Sequence, residues 1–187
     1  MDKEQQKIFM ERYPDLVKYL VINDLENISN PDISVTARTI DLYEQQLFPD
    51  CPTNKAFHDC LKNKKILDVG CGYNPLYDES LVSIVMSDKK KYKSNATGCD
   101  IVDVKMPNYK KASIYTMHFN NVDMILINNL LYFWLNKPKD LLRAYKNLHK
   151  NLKVGGEIRV FPVYLNSYHQ NNPLLKEFLE SNFDIQM

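Results

Sequence analysis

The chain has 187 residues, of which 44% are hydrophobic and 25% charged, and this length suits one compact domain with a sizeable core rather than two independent domains. Its 24 basic and 23 acidic residues nearly cancel, so the composition gives no strong nucleic-acid signal. The charged N-terminus lacks the apolar run of a signal peptide, and no apolar stretch is long enough to cross a bilayer, so we expect a cytoplasmic protein with no membrane partner.

The first fifty residues carry apolar side chains at helical spacing. One amphipathic stretch covers residues 3–21, and a second covers residues 33–47. A short helix over residues 54–61 then leads to the first strand. We therefore predict an N-terminal helical cap or lid over residues 1–53 and the main domain over residues 54–187.

From residue 64 onward, short apolar strands alternate with amphipathic helices. The predicted strands cover residues 66–69, 83–87, 100–105, 122–127 and 157–163, and a last one begins at residue 183. Helices are predicted to begin at Asn74-Pro75, Pro138 and Asn172-Pro173, because Asn caps a helix and Pro suits its first position. This alternation predicts an α/β fold with a mostly parallel sheet of about six strands and helices on both faces.

A glycine turn follows the first strand in the sequence LDVGCG, residues 67–72. The chain has only five glycines, and Gly70 and Gly72 are two of them. Glycine at such a turn lets the backbone approach a ligand closely, and the N-terminus of the following helix then points at that ligand. The turn therefore predicts a site for a nucleoside cofactor.

A carboxylate at the end of the second strand can bind both hydroxyls of a ribose. Asp88 follows the predicted second strand at about the usual distance beyond Gly70, so we assign this role to Asp88. An exposed turn acid is the alternative interpretation of Asp88. Asp100 competes for the role if the second strand ends at Cys99, which requires an unusually long first crossover.

Three motifs occur in a characteristic order and at characteristic distances. They are LDVGCG at residues 67–72, VDMILINNLL at residues 122–131 and LHKNLKVGGEI at residues 148–158. Together they resemble the S-adenosylmethionine-dependent methyltransferases of the Rossmann-like class I family. The resemblance covers residues 64–163 and implies methyltransferase activity, with S-adenosylmethionine bound at the carboxyl ends of the first, second and fourth strands.

The resemblance also implies which residues bind the cofactor. They are Asp68, Gly70, Cys71, Gly72, Asp88, Lys89, Asp103, Val104 and Asn128. The turn at residues 70–72 would hold the amino-acid end of the cofactor, and Asp103 would face the adenine amine. Asn129, Tyr132 and His169 are candidates on the acceptor side, with core packing and a plain surface position as the alternatives for the Tyr and the His.

The residues leave the acceptor and the catalytic group unidentified. Methyl transfer can proceed by alignment in a dry site, so no base is required. The sequence after the fourth strand matches neither the Asn/Asp-Pro-Pro-Tyr/Phe element of amino-methyltransferases nor the Pro-Cys of cytosine C5 enzymes, so we expect a small-molecule acceptor. A catalytically inactive methyltransferase-like binding module is the first alternative.

A nicotinamide-dependent oxidoreductase is the second alternative, because it shares the fold. The dinucleotide fingerprint requires glycine at its sixth position, where this chain has Pro75, and this disfavours the alternative. The methyltransferase motif also often has a third glycine, where this chain has Asn74, a residue that tolerates turn conformations.

The cysteines and the C-terminus complete the predictions. Cys51, Cys60, Cys71 and Cys99 are spaced too widely to suggest a disulfide framework, and none has a His at metal-ligand spacing, so no metal site is expected. The sequence stops where a sixth strand begins, so the C-terminal strand pair of the family's sheet is incomplete. We therefore expect a shortened sheet or a homodimer that covers the edge of the fifth strand.

Overall fold

The structure is a computed structural model that describes residues 38–72, 78–101, 107–131, 138–163 and 172–186. Within these residues the helices are α1 (Ile40–Leu47), α2 (Asn54–Cys60), α3 (Leu81–Ser87), α4 (Lys89–Tyr92), α5 (Pro138–Asn151) and α6 (Pro173–Asn182). The strands in the same ranges are β1 (Lys65–Val69), β2 (Asn95–Asp100), β3 (Tyr109–Lys111), β4 (Val122–Asn128) and β5 (Leu152–Phe161). The helices predicted over residues 3–21 and at Asn74-Pro75 lie outside the described residues.

The described strands form one parallel sheet in the order β3-β2-β1-β4-β5. β1 lies at the centre, where Leu67 is opposite Thr97 of β2 on one side and Ile125 of β4 on the other. Strand order reverses between β1 and β4, which is where ligands bind in open α/β sheets. The predicted α/β fold with a parallel sheet is confirmed, with five strands in the described ranges.

Helices cover both faces of the sheet, and the side chains of the strands alternate between the two faces. Ile66, Met124 and Leu126 pack with the helices α1 to α4 on one face. Leu67 and Ile125 pack with α5 and α6 on the other face. This period of two places the side chains at positions 68 and 128 on the α1 face.

The strand predicted over residues 83–87 is wrong, because this segment is helix α3. Leu81, Val82 and Val85 are its buried residues, a spacing that fits one helical face, and the Ser80 side chain caps it by accepting from the Ser83 N–H at 3.2 Å. The true second strand, β2, is built from small residues and ends at Asp100. Of the strand predicted over residues 100–105, Asp100 is instead the last residue of β2, and residues 102–105 lie outside the described residues.

The C-terminal helices match the predictions, whereas the two strands predicted after residue 156 do not. α5 begins at Pro138, and Asn172 caps α6 by accepting from the Leu175 N–H at 3.2 Å. β5 begins at Leu152, before the glycine pair and not after it. Residues 183–186 form no strand, and the Phe183 ring lies edge-on to the ring of His149 of α5, at 5.3 Å between ring centroids.

Candidate functional site

The turn after β1 has the backbone conformation that its glycines predict. Gly70 and Gly72 have φ angles of 70° and 57°, in the left-handed region that favours glycine. A Cβ atom on Gly70 would come within 2.8 Å of the Leu130 Cδ2 atom. The turn therefore requires glycine at position 70 both for its conformation and for its space.

The same turn is fastened to the carboxyl end of β2. The backbone N–H groups of Gly70 and Cys71 both donate to the Cys99 carbonyl oxygen, at 2.8 and 3.2 Å. The Gly72 N–H donates to the Asp100 Oδ2 atom at 2.9 Å. The glycine turn and the end of β2 thus form one hydrogen-bonded unit at the edge where the strands end.

Asp100 occupies the position that the sequence analysis gave to Asp88. Asp100 is the last residue of β2 and is 8% exposed, and its second oxygen accepts from the Ile101 N–H at 2.7 Å. Asp88 is exposed and caps the short helix α4, where it accepts from the Lys91 N–H at 3.0 Å. Lys89 is the exposed first residue of α4. Asp88 and Lys89 therefore lie on the crossover, and their predicted place at a strand end is wrong.

A buried polar cluster lies beneath the glycine turn. Asp68 of β1 is fully buried, and its Oδ2 atom accepts from the Tyr43 hydroxyl of α1 at 2.6 Å. The Arg38 side chain is 4% exposed and donates from Nη1 to the Gly70 carbonyl oxygen at 3.2 Å. The segment that leads into α1 thus supplies a buried cation to the turn, and α1 supplies a hydrogen-bond donor to the strand beneath it.

The protonation state of Tyr43 follows from this surrounding. Burial raises the pKa of Tyr43 well above its usual value, the negative charge of Asp68 raises it further, and Arg38 opposes both effects. Tyr43 therefore remains a neutral donor to Asp68 at physiological pH.

The end of β4 carries a short chain of amides. Asn128 is fully buried, and its Nδ2 atom donates to the Gln46 Oε1 atom of α1 at 2.8 Å. Asn129 has a φ angle of 58° and donates from its own Nδ2 atom to the Asn128 Oδ1 atom at 2.6 Å. α1 therefore contacts the carboxyl ends of both β1 and β4, through Tyr43 and Gln46.

The two cysteines of the site are not nucleophiles. Burial raises the pKa of the Cys71 and Cys99 thiols, and the negative charge of Asp68 raises both further. Both are neutral thiols, so Cys71 contributes to the site through its backbone. Within the described residues, no group of three His, Cys, Asp or Glu side chains comes together as a metal site.

The structure brings together most of the predicted residues that it describes. Asp68, Gly70, Cys71, Gly72, Asn128 and Asn129 meet at the carboxyl ends of β1 and β4. Asp103, Val104, Tyr132 and His169 lie outside the described residues.

Sequence analysis missed three residues of α1 and its approach, namely Arg38, Tyr43 and Gln46. A signal existed for Tyr43, because it lies three residues after Ile40 and four before Leu47, on the face that the apolar spacing buries. Arg38 and Gln46 carry no such signal. The role of each depends on contacts that only the folded chain makes.

Neither a protein-family model nor a curated protein matches the sequence. One similar solved structure is the PH0226 protein of Pyrococcus horikoshii OT3, with 17% sequence identity and a TM-score of 0.42 over 80% of this chain and 64% of that chain. A second is the sugar N-methyltransferase KedS8 of Streptoalloteichus sp. ATCC 53650, with 14% identity and a TM-score of 0.44 over 70% of this chain and 56% of that chain. A third is an S-adenosylmethionine-dependent methyltransferase of Clostridium acetobutylicum ATCC 824, with 15% identity and a TM-score of 0.43 over 83% of this chain and 56% of that chain. The matched part of each protein is thus less than two thirds of its length. Strand order and all-parallel register give the present chain the Rossmann-like α/β fold that its three motifs predict.

Proposed function

We propose that this protein is an S-adenosylmethionine-dependent methyltransferase that acts on a small-molecule acceptor. One observation carries the proposal: the glycine turn after β1 is hydrogen-bonded to a carboxylate at the end of β2, through the Gly72 N–H and Asp100. A close-approach turn beside a carboxylate at the switch point of a parallel sheet is suited to a nucleoside that carries an amino-acid group.

In this proposal Asp100 binds the ribose hydroxyls. An ionised carboxylate offers about four acceptor positions, and the N–H groups of Gly72 and Ile101 use two of them. A carboxylate at the end of this strand can accept from two hydroxyl donors on neighbouring carbon atoms of a ribose. The two backbone bonds also hold the carboxylate in place before the cofactor arrives, which lowers the entropy cost of binding.

The glycine turn would hold the amino-acid end of the cofactor. Neither Gly70 nor Gly72 carries a side chain, and both have positive φ angles, so a ligand can pack directly on the backbone of the turn. Arg38 donates to the Gly70 carbonyl and so fixes the turn from below. The cofactor contacts expected from Asp103, at the adenine edge, and from Val104 remain predictions.

When bound, S-adenosylmethionine supplies a methyl group activated by its sulfonium. The residues of the chain orient the cofactor, and α1 covers the ends of β1 and β4 through Tyr43 and Gln46. The neutral thiols of Cys71 and Cys99 give no competing nucleophile. Alignment and exclusion of water account for the acceleration, so the proposal needs no base from the described residues.

Calorimetric titration with S-adenosylmethionine, S-adenosylhomocysteine and NAD tests the cofactor. We expect the two adenosyl sulfur compounds to bind and NAD to fail. Asp100→Asn should weaken binding about tenfold or more, since a charge-assisted hydrogen bond contributes roughly 1.5–3 kcal/mol. Asp88→Asn is the matched control, because Asn caps a helix as well as Asp and the affinity should not change.

The opposite pattern, in which Asp88→Asn weakens cofactor binding and Asp100→Asn does not, would assign ribose binding to Asp88. Release of S-adenosylhomocysteine in the presence of a panel of small-molecule acceptors then separates an enzyme from a binding module. Tight cofactor binding without turnover on any acceptor class would favour the inactive module.

A further inference from the structure

Two cysteines that are nine positions apart in the sequence are neighbours in the fold. Cys51 lies in the connector between α1 and α2, residues 48–53, and Cys60 is the last residue of α2. Their sulfur atoms are 3.2 Å apart, and both side chains are partly buried. The sequence analysis expected no such pair, because the spacing of the cysteines carries no disulfide signal.

The backbone on both sides of the pair is held by hydrogen bonds. The Cys51 N–H donates to the Phe48 carbonyl oxygen at 3.0 Å, and the Thr53 hydroxyl caps α2 by accepting from the Ala56 N–H at 3.1 Å. The folded chain therefore presents the two sulfur atoms to each other, and a bond between them needs a movement of only about 1 Å.

We propose that Cys51 and Cys60 form a reversible dithiol–disulfide pair, which a low-molecular-weight disulfide such as oxidised glutathione converts to the bonded state. Cys71 and Cys99 take no part, because they are 0% and 1% exposed. The pair lies on the α1 side of the sheet, outside the cofactor site, and the proposal does not depend on the proposed methyltransferase activity.

The conversion proceeds by two thiol–disulfide exchanges. The Cys60 thiolate attacks one sulfur of the small disulfide, so that a mixed disulfide forms and the first small thiolate leaves. The Cys51 sulfur, after losing its proton to solvent, attacks the Cys60 sulfur and expels the second small thiolate. Two protein thiols lose two electrons, the small disulfide gains them, and the two protons end on the released thiols.

The environment of Cys51 keeps its thiol protonated near neutral pH. Burial, and then the hydrogen bond with Cys60, raise the pKa of Cys51 to about 12. The same disulfide forms whichever of the two sulfur atoms attacks the small disulfide first, because the two atoms are 3.2 Å apart.

The bond would act on the segment that carries α1 into the site. Asp50 in the connector binds both terminal nitrogens of Arg159 of β5, at 2.5 and 3.0 Å, and Arg159 also donates to the Leu47 carbonyl oxygen at 3.0 Å. The connector is thus already tied to the sheet on one side. A disulfide to Cys60 adds a covalent tie to α2 and restrains the C-terminal end of α1.

Peptide mapping of the oxidised protein tests the pair directly. The full chain is incubated with oxidised glutathione, free thiols are blocked, and trypsin then cleaves after Arg38, Lys55 and Lys62. Cys51 and Cys60 fall in separate peptides, residues 39–55 and 56–62, so a bond between them joins the two peptides with the loss of two hydrogen atoms. Cys71 and Cys99 should carry the blocking group.

Variants and thermal unfolding complete the test. The joined peptide should persist in Cys71→Ser and vanish in Cys51→Ser and Cys60→Ser. Oxidation should raise the Tm of the wild type by about 5–10 °C and leave that of Cys51→Ser unchanged, since the bond closes a short loop. A stable mixed disulfide on Cys60, no reaction, or a link that involves Cys71 or Cys99 would each overturn the proposal. The mapping uses wild-type protein, so it does not depend on how a variant folds.

Discussion

Tyr43 makes a fully buried hydrogen bond between α1 and the central strand β1. Its ring is fully buried, and its hydroxyl is 2.6 Å from the Asp68 carboxylate. When a buried carboxylate loses a hydrogen-bond donor, part of the free-energy cost of removing it from water is no longer compensated. The contact therefore couples the position of α1 to the strand that carries the glycine turn.

We predict that Tyr43→Phe lowers the free energy of unfolding by about 1–3 kcal/mol near neutral pH, because the ring still fills its space while the donor to Asp68 is lost. Denaturant unfolding monitored by circular dichroism measures this change. A free energy of unfolding equal to that of the wild type would show that the hydroxyl contributes nothing to the coupling.

The effect of Tyr43→Phe on the free energy of unfolding should also depend on pH. The folded-state pKa of Tyr43 is raised, so the stability that this group contributes is present below the unfolded-state value, near pH 10, and is lost as the pH rises above it. The unfolded chain then releases a proton that the folded chain retains. The difference between wild type and Tyr43→Phe should therefore shrink above pH 10, by about 1.4 kcal/mol per pH unit. A constant difference from pH 8 to 11 would contradict this assignment.

Among the elements, β5 contains two adjacent glycines with different reasons for being glycine. Gly155 has a φ angle of 75°, yet a Cβ there would meet nothing within 4 Å. A Cβ on Gly156 would come within 2.9 Å of the Val122 carbonyl oxygen, where the register between β4 and β5 shifts. The first glycine is required by conformation and the second by space.

This difference predicts that position 155 tolerates a side chain better than position 156 does. Gly155→Asn should cost less than about 1 kcal/mol, because Asn adopts left-handed conformations and the space is open. Gly156→Ala should cost about 1–3 kcal/mol, because a backbone carbonyl must move to admit the methyl group. Thermal unfolding of the two variants under one condition gives the comparison, and an equal loss in both would show that the two glycines are not distinguished in this way.

The elements that were predicted correctly differ from the others in their apolar residues. β4 consists of a continuous apolar run and α5 has a clear helical face, so both were identified close to their true bounds. β2 has small residues in place of branched ones, and it is identified by its pairing with β1 and β3, which no local pattern shows. The helix α3 was mistaken for β2 because its short run of apolar residues fits either period.

The site shows the same division between local and non-local information. Gly70 and Gly72 were identified because a positive φ angle is a property of the residue itself. Asp100 was held only as an alternative, because its place depends on where β2 ends. Arg38 reaches the glycine turn across a separation of 32 residues, and no local pattern encodes such a contact.

At the scale of the whole molecule, β5 forms the longer of the two outer edges of the sheet in the described residues. β5 pairs with β4 along one side, and no described strand lies on its other side. An unpaired edge of ten residues tends to recruit another chain. The sequence analysis expected a shortened sheet or a homodimer, and we propose the homodimer, in which a second copy of the protein covers this edge.

Light scattering and hydrogen exchange at several concentrations test the dimer. We expect a mass of twice the 21.9 kDa chain at high concentration and dissociation on dilution. Backbone amides of β5 should be protected more strongly at high concentration, whereas those of β1, at the centre of the sheet, should not change. A monomer at every concentration, or protection of β5 that does not vary, would contradict the proposal.

The two faces of the sheet are covered by different halves of the chain, and this has a consequence during synthesis on the ribosome. Once residues up to Asp100 have emerged, α1 to α4 can cover one face of β1 and β2, while Leu67, Val69 and Cys99 on the other face still await α5 and α6. Translation of the later residues leaves that apolar face open to water for several seconds. The nascent chain is therefore expected to be a client of ribosome-associated chaperones during this interval, until the second layer of helices closes over the sheet.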